Sequence, residues 1–177
     1  MAGAGAWMAA AGCTNFDLTP QVSFDADLEQ YVAEQIVPGS PLPGPLAESF
    51  PIHMDLDLNQ KFAAMTTGPI DIIELTSLDL VITGTDRPAG DIDDWSFVDS
   101  IDLYVTSTKT GSSLPRMRFA TASAPGKTTT MRFTPVAGAN LEPYIGEGAQ
   151  VESQGSVRAP SDDTSFDGLG VYSARSK

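Results

Sequence analysis

Two ladders of apolar residues with a spacing of two stand out along the chain: Leu78, Leu80 and Ile82, then Ile101, Leu103 and Val105. Side chains alternate faces along a strand, so each ladder aims one row at a core. Asp79, Val81 and Thr83, and likewise Asp102, Tyr104 and Thr106, fall on the opposite face. The segment between the ladders, Thr85 to Asp94, is made of turn formers and acids. The same period recurs on either side. Phe50 to Leu58 alternates Ile52, Met54, Leu56 and Leu58 against His53, Asp55 and Asp57. Leu114 to Ala122 alternates Met117, Phe119 and Thr121 against Arg116, Arg118 and Ala120. After the turn Ala124-Pro125-Gly126-Lys127, Thr128 to Thr134 alternates Thr129, Met131 and Phe133 against Thr130, Arg132 and Thr134. Gln150 to Val157 is polar and weakly β, which suits a sheet edge. Ser165 to Ala174 closes the domain, with Phe166 and Val171 as its expected core residues.

Other stretches read differently. Val22 to Ala26 alternates like a first strand, but from Asp27 to Ile36 the residues Leu28, Val32 and Ile36 lie four apart behind an N-terminal Asp. That spacing stacks them on one helical face, and Val37-Pro38-Gly39 would end the helix. Asn59 to Met65 predicts one or two helical turns, and Leu141 to Ile145 a short crossing segment. Ser40 to Pro45 holds too many prolines for a central strand and predicts an extended connector. About seven or eight short strands at near-regular spacing, with no helix after each, predict an all-β fold. The expected form is an antiparallel β-sandwich, immunoglobulin-like or jelly-roll-like, with a short N-terminal helix.

Composition narrows the function classes. The 177 residues are 41% hydrophobic and 19% charged, enough for one domain with a core. A net charge of -13 with only 10 Lys and Arg argues against nucleic acid and against docking on anionic headgroups through a basic patch. Cations remain as the charged ligands to consider.

Little in the sequence points to catalysis. His53 is the single histidine and sits on the polar side of a predicted strand, which reads as a solvated surface position. No Gly-x-Ser-x-Gly elbow, phosphate-binding loop or His-Glu-x-x-His pair occurs. The pairs Asp25/Asp27 and Asp55/Asp57 read as solubilising stripes rather than acid and base. The expectation is therefore a protein that is not an enzyme and needs no cofactor. The acidic turns are the least bland feature. Asp91, Asp93 and Asp94 crowd three carboxylates into four residues, and Asp162 and Asp163, with Asp167 nearby, form a second group. Calcium takes six to eight oxygens at loose geometry and could use such loops, yet Asp is also an ordinary turn residue. Trp95 with Tyr104 is the one candidate sugar platform, although Trp95 precedes Phe97 and Val98 and reads better as a cover for the core.

Cys13 is the only cysteine, so neither an intrachain disulfide nor a thiolate metal cluster is available. It ends an apolar run of small residues from Met1 and precedes the polar Thr14-Asn15, which predicts the end of an export segment followed by a processing site. The run is too short to span a bilayer, which takes ~20 apolar residues. It can also be read as a plain Ala/Gly tail. Ala10-Ala11-Gly12-Cys13 resembles the lipobox of bacterial lipoproteins. The resemblance implies lipidation of Cys13 as the new N-terminus and, with Thr14 following, sorting to the outer membrane. On this reading 1–12 is the remnant of an export signal, 13–21 the lipidated N-terminus and tether, and 22–177 a single β-sandwich domain. Two functions follow. One is a non-catalytic, lipid-anchored module of the bacterial cell envelope with a structural or interaction role toward a protein or glycan partner. The other is a secreted module that binds calcium or carbohydrate through its acidic inter-strand loops.

Overall fold

A computed structural model describes residues 25–40, 50, 52–65, 68–84 and 93–176. The chain forms β1 (Asp25–Val37), α1 (Leu58–Ala63), β2 (Ile72–Ile82), β3 (Val98–Ser107), β4 (Met117–Ser123), β5 (Thr130–Pro135), α2 (Glu142–Glu147), β6 (Ala149–Val157) and β7 (Thr164–Arg175). The strands make one seven-stranded sheet in the order β1-β7-β2-β5-β4-β3-β6, with every pairing antiparallel. The sheet curls into a half-barrel. Instead of the two stacked layers of a sandwich, a single continuous sheet bends round its own core. The bend falls at β5. Its residues Thr130 to Phe133 pair with Val81 back to Leu78 on β2, while Thr134 and Pro135 pair with Thr121 and Ala120 on β4.

Both apolar ladders point inward as their period requires. Leu78, Leu80, Ile101, Leu103 and Val105 are fully buried, and Met131 and Phe133 of β5 join them. Each such side chain contributes roughly 1.5 to 3 kcal/mol by leaving water. Phe50, Trp95, Phe97 and Phe166 form an aromatic group in the same core, Phe50 stacking on Phe166 at 5.5 Å and Trp95 meeting it edge-on at 5.4 Å. The Trp95 indole donates to the carbonyl of Thr129 at 3.1 Å, which satisfies its one polar atom. α2 packs where β2 begins, β3 ends and β6 begins, burying Leu141, Tyr144 and Ile145, and α1 lies against it through Leu58 and Phe62.

Three expectations are corrected. Residues 27–36 belong to β1 and are not helical. A spacing of four is also an even spacing, so Leu28 and Val32 lie on the inner face of a strand just as they would lie on one face of a helix. The pairing with β7 shifts register between Val32 and Gln35, and beyond the shift Ile36 is 58% exposed. On β7 the inward row is Phe166, Gly168, Gly170, Tyr172 and Ala174, which puts Val171 outside and Tyr172 at 0% exposure. On β4 a register shift opposite Leu103 and Tyr104 buries Phe119 and Ala120 in succession, so Ala120 and Ala122 face the core and Thr121 does not.

Polar contacts hold the α2 end. The Glu147 carboxylate accepts from Ser112 Oγ at 2.5 Å, Ser107 Oγ at 2.8 Å and Lys109 Nζ at 3.1 Å. The Ser112 and Ser107 hydroxyls, then Lys109, hold its pKa below the ordinary glutamate range. A depressed folded-state pKa means the contribution is present above the unfolded value and is lost as pH falls through the folded one. Glu147→Gln should therefore lower the urea midpoint most near neutral pH, and its gap from wild type should close on acidification. A gap that stayed constant down to strongly acidic pH would show that the charge plays no part.

Candidate functional site

The curled sheet stays open between its two edge strands, β1 and β6. Phe50 and residues 52–58 lie along this opening as a strap. Phe50, Ile52, Leu56 and Leu58 turn inward and are buried, while His53, Asp55 and Asp57 face solvent. The period of two read from the sequence is thus present in the strap. It is not a strand of the sheet, however, because its contacts to the edges run largely through side chains. The Gln35 carboxamide of β1 accepts from the His53 main-chain N–H at 2.8 Å and donates to the His53 carbonyl at 3.1 Å. One amide group thereby makes the pair of bonds that a neighbouring strand would make. On the other side, Ser153 Oγ of β6 donates to the Phe50 carbonyl.

Above the strap lies a groove of about 1080 Å³, walled by β1 from Gln30 to Ala33 and by β6 from Ala149 to Ser153. Tyr31 and Ala33 are two apart, so their main-chain groups point to one side of β1, and both residues line the groove. The Tyr31 carbonyl receives Gln30 Nε2 at 3.4 Å, and the Ala33 carbonyl receives Gln35 Nε2, also at 3.4 Å. These are long contacts; a main-chain N–H would approach to ~2.9 Å. Beside the groove the exposed face of β1 is acidic, carrying Asp25, Asp27, Glu29 and Glu34 and no Lys or Arg, with Glu34 accepting from Thr83 Oγ1 at 2.8 Å. On β6 the one acid, Glu152, is paired with Arg116 Nε at 2.9 Å, and the Arg116 guanidinium also covers the Tyr104 ring at 3.5 Å. Lys61 of α1 donates to the Gln30 side chain.

Neither the protein-family models nor the curated proteins compared with this sequence match it.

The residues singled out from the sequence lie elsewhere. Cys13 and Asp91 fall outside the described residues. Asp93 is buried and accepts from Thr164 Oγ1 at 3.5 Å. Asp94 instead caps the 3-10 turn Trp95–Phe97, taking the Ser96 N–H at 2.9 Å, and hydrogen bonding from Ser96 holds its carboxyl below the usual range. The two carboxylates thus have separate structural duties. Among the described residues no group of three His, Cys, Asp or Glu side chains could hold a metal ion. In the second acidic turn, Asp163 accepts the Gly39 N–H at 2.8 Å. Trp95 is fully buried and cannot serve as a sugar platform, and Arg116 lies over the face of Tyr104. His53 is exposed, with Nδ1 3.3 Å from Gln35 Oε1. No helix among the described residues is long and apolar enough to cross a membrane. Gln30 and Ser153 in the groove, and Gln35 beside it, carry no sequence signal of their own, because their roles depend on which strands end as edges.

Proposed function

We propose that the protein is a non-catalytic interaction module of a bacterial cell envelope, held to the outer membrane by lipid on Cys13. The observation that supports the interaction role is the groove between two strand edges, where the Tyr31 and Ala33 carbonyls receive long side-chain contacts from glutamine. A sheet edge of this kind recognises extended segments through the backbone.

The anchor rests on Ala10-Ala11-Gly12-Cys13 and its resemblance to the lipobox. A diacylglyceryl group plus an amide-linked chain supplies two hydrophobic signals at ~0.8 kcal/mol per buried CH₂, and stable attachment takes two. Growth with labelled palmitate should mark the protein, and Cys13→Ser should abolish the label and move the folded domain into the soluble fraction. Mature protein that retains residues 1–12 by mass spectrometry would refute the anchor.

A further inference from the structure

We propose that the groove takes one extended, cationic peptide segment from another protein, added as a strand along the open edge of β1; this rests on the reading of the protein as an interaction module. Three observations carry it. The first is the state of the edge. Tyr31 and Ala33 present carbonyls to the groove whose glutamine contacts, at 3.4 Å, are long enough for an incoming N–H to displace. The second is that the same edge already takes a peptide-like group, since the Gln35 amide makes both bonds to the His53 main chain. The β1 wall is thus shaped for strand partners, and side chains stand in where none is present.

The third observation is charge. An added strand would place alternate side chains beside the outer row of β1, where Asp27 and Glu29 lie two apart and exposed. Lys or Arg at every second position of the peptide would meet them directly, and opposite charges across neighbouring strands stabilise the pairing. Asp55 on the strap adds a further negative charge beside the groove. Glu152 on the far wall is already paired with Arg116, so the attraction is concentrated on the β1 side. A second copy of the chain fits poorly. Pairing two β1 edges would set four acids against the same four, in a protein of net charge -13.

The test titrates the full chain with a fluorescent octapeptide alternating Lys and Thr. Two controls carry Glu in place of Lys, or N-methyl groups on the main-chain nitrogens that would face β1. Binding of the Lys peptide should weaken with salt, and amide shifts should centre on Tyr31 and Ala33. N-methylation, or Glu29→Lys in the protein, should each weaken it by about tenfold or more. Equal binding of the N-methylated peptide would overturn strand addition, leaving charge attraction alone. Binding of the Glu peptide, shifts confined to other surfaces, no binding, or self-association in place of peptide binding would overturn the proposal as well. Peptide binding is read on purified protein and anchoring in cell fractions, so failure of one leaves the other standing.

Discussion

Truncating Leu103 to alanine is expected to lower stability by ~2 to 5 kcal/mol, combining the lost transfer of the side chain with the cavity left behind. Leu103 is fully buried at the middle of β3, with β4 on one side through Ala120 and β6 on the other through Ser153. Strands paired on both sides cannot shift easily to fill the space, which favours the upper part of that range. A domain of this kind holds only ~5 to 15 kcal/mol in total, so the variant should melt well below wild type. Urea denaturation would report the loss as a lower midpoint at unchanged slope. An unchanged midpoint would take the ladder out of the core.

Gly168→Ala is expected to cost about 1 to 3 kcal/mol, for the opposite reason. Gly168 faces inward on β7 beneath Leu80, and a Cβ there would lie 2.5 Å from Leu80 Cδ2 and 2.7 Å from the Asp79 carbonyl oxygen. The leucine can turn aside, but the carbonyl belongs to the neighbouring strand and moves only with it. Pairing the change with Leu80→Ala separates the two contacts. Shortening Leu80 removes the first clash, so the double variant should be more stable than the sum of the single losses predicts. Strict additivity would mean that Leu80 and Gly168 do not share the space.

The β character and the two inner ladders were legible because a period of two is the direct mark of a half-buried strand. Leu78, Leu80, Ile101, Leu103 and Val105 all lie where that period puts them. β6 was legible as an edge for a related reason, since its polar residues leave little to bury. Residues 27–36 were not legible, because Leu28, Val32 and Ile36 satisfy a helical and a strand period equally well, and the register shift that exposes Ile36 arises from pairing with a strand far along the chain. Val171 was assigned to the core because glycines carry no hydrophobic signal. The inward row of β7 is set by Gly168 and Gly170, whose missing side chains make room for Leu80 and the Tyr172 ring.

The site was less legible still. Asp93 and Asp94 are adjacent in sequence and look like a cluster, yet alternation along an extended backbone turns one toward Thr164 and leaves the other to cap Ser96. The groove depends on β1 and β6 ending as the two margins of one sheet. Strand order is a property of long-range pairing that local periodicity does not contain. Gln35 illustrates this: as a residue it is an ordinary polar position, and only the fold makes it the bridge that holds His53 of the strap against the β1 edge.

The place of β7 bears on how the chain is made. β7 lies between β1 and β2 and hydrogen-bonds to both, so the last of the described strands completes the neighbourhood of the first two. A nascent chain that has produced β1 to β5 can already pair β2 with β5, but β1 has no sheet partner and β2 lacks its second one until residues beyond Thr164 have been synthesised. Contacts of such long sequence separation form slowly.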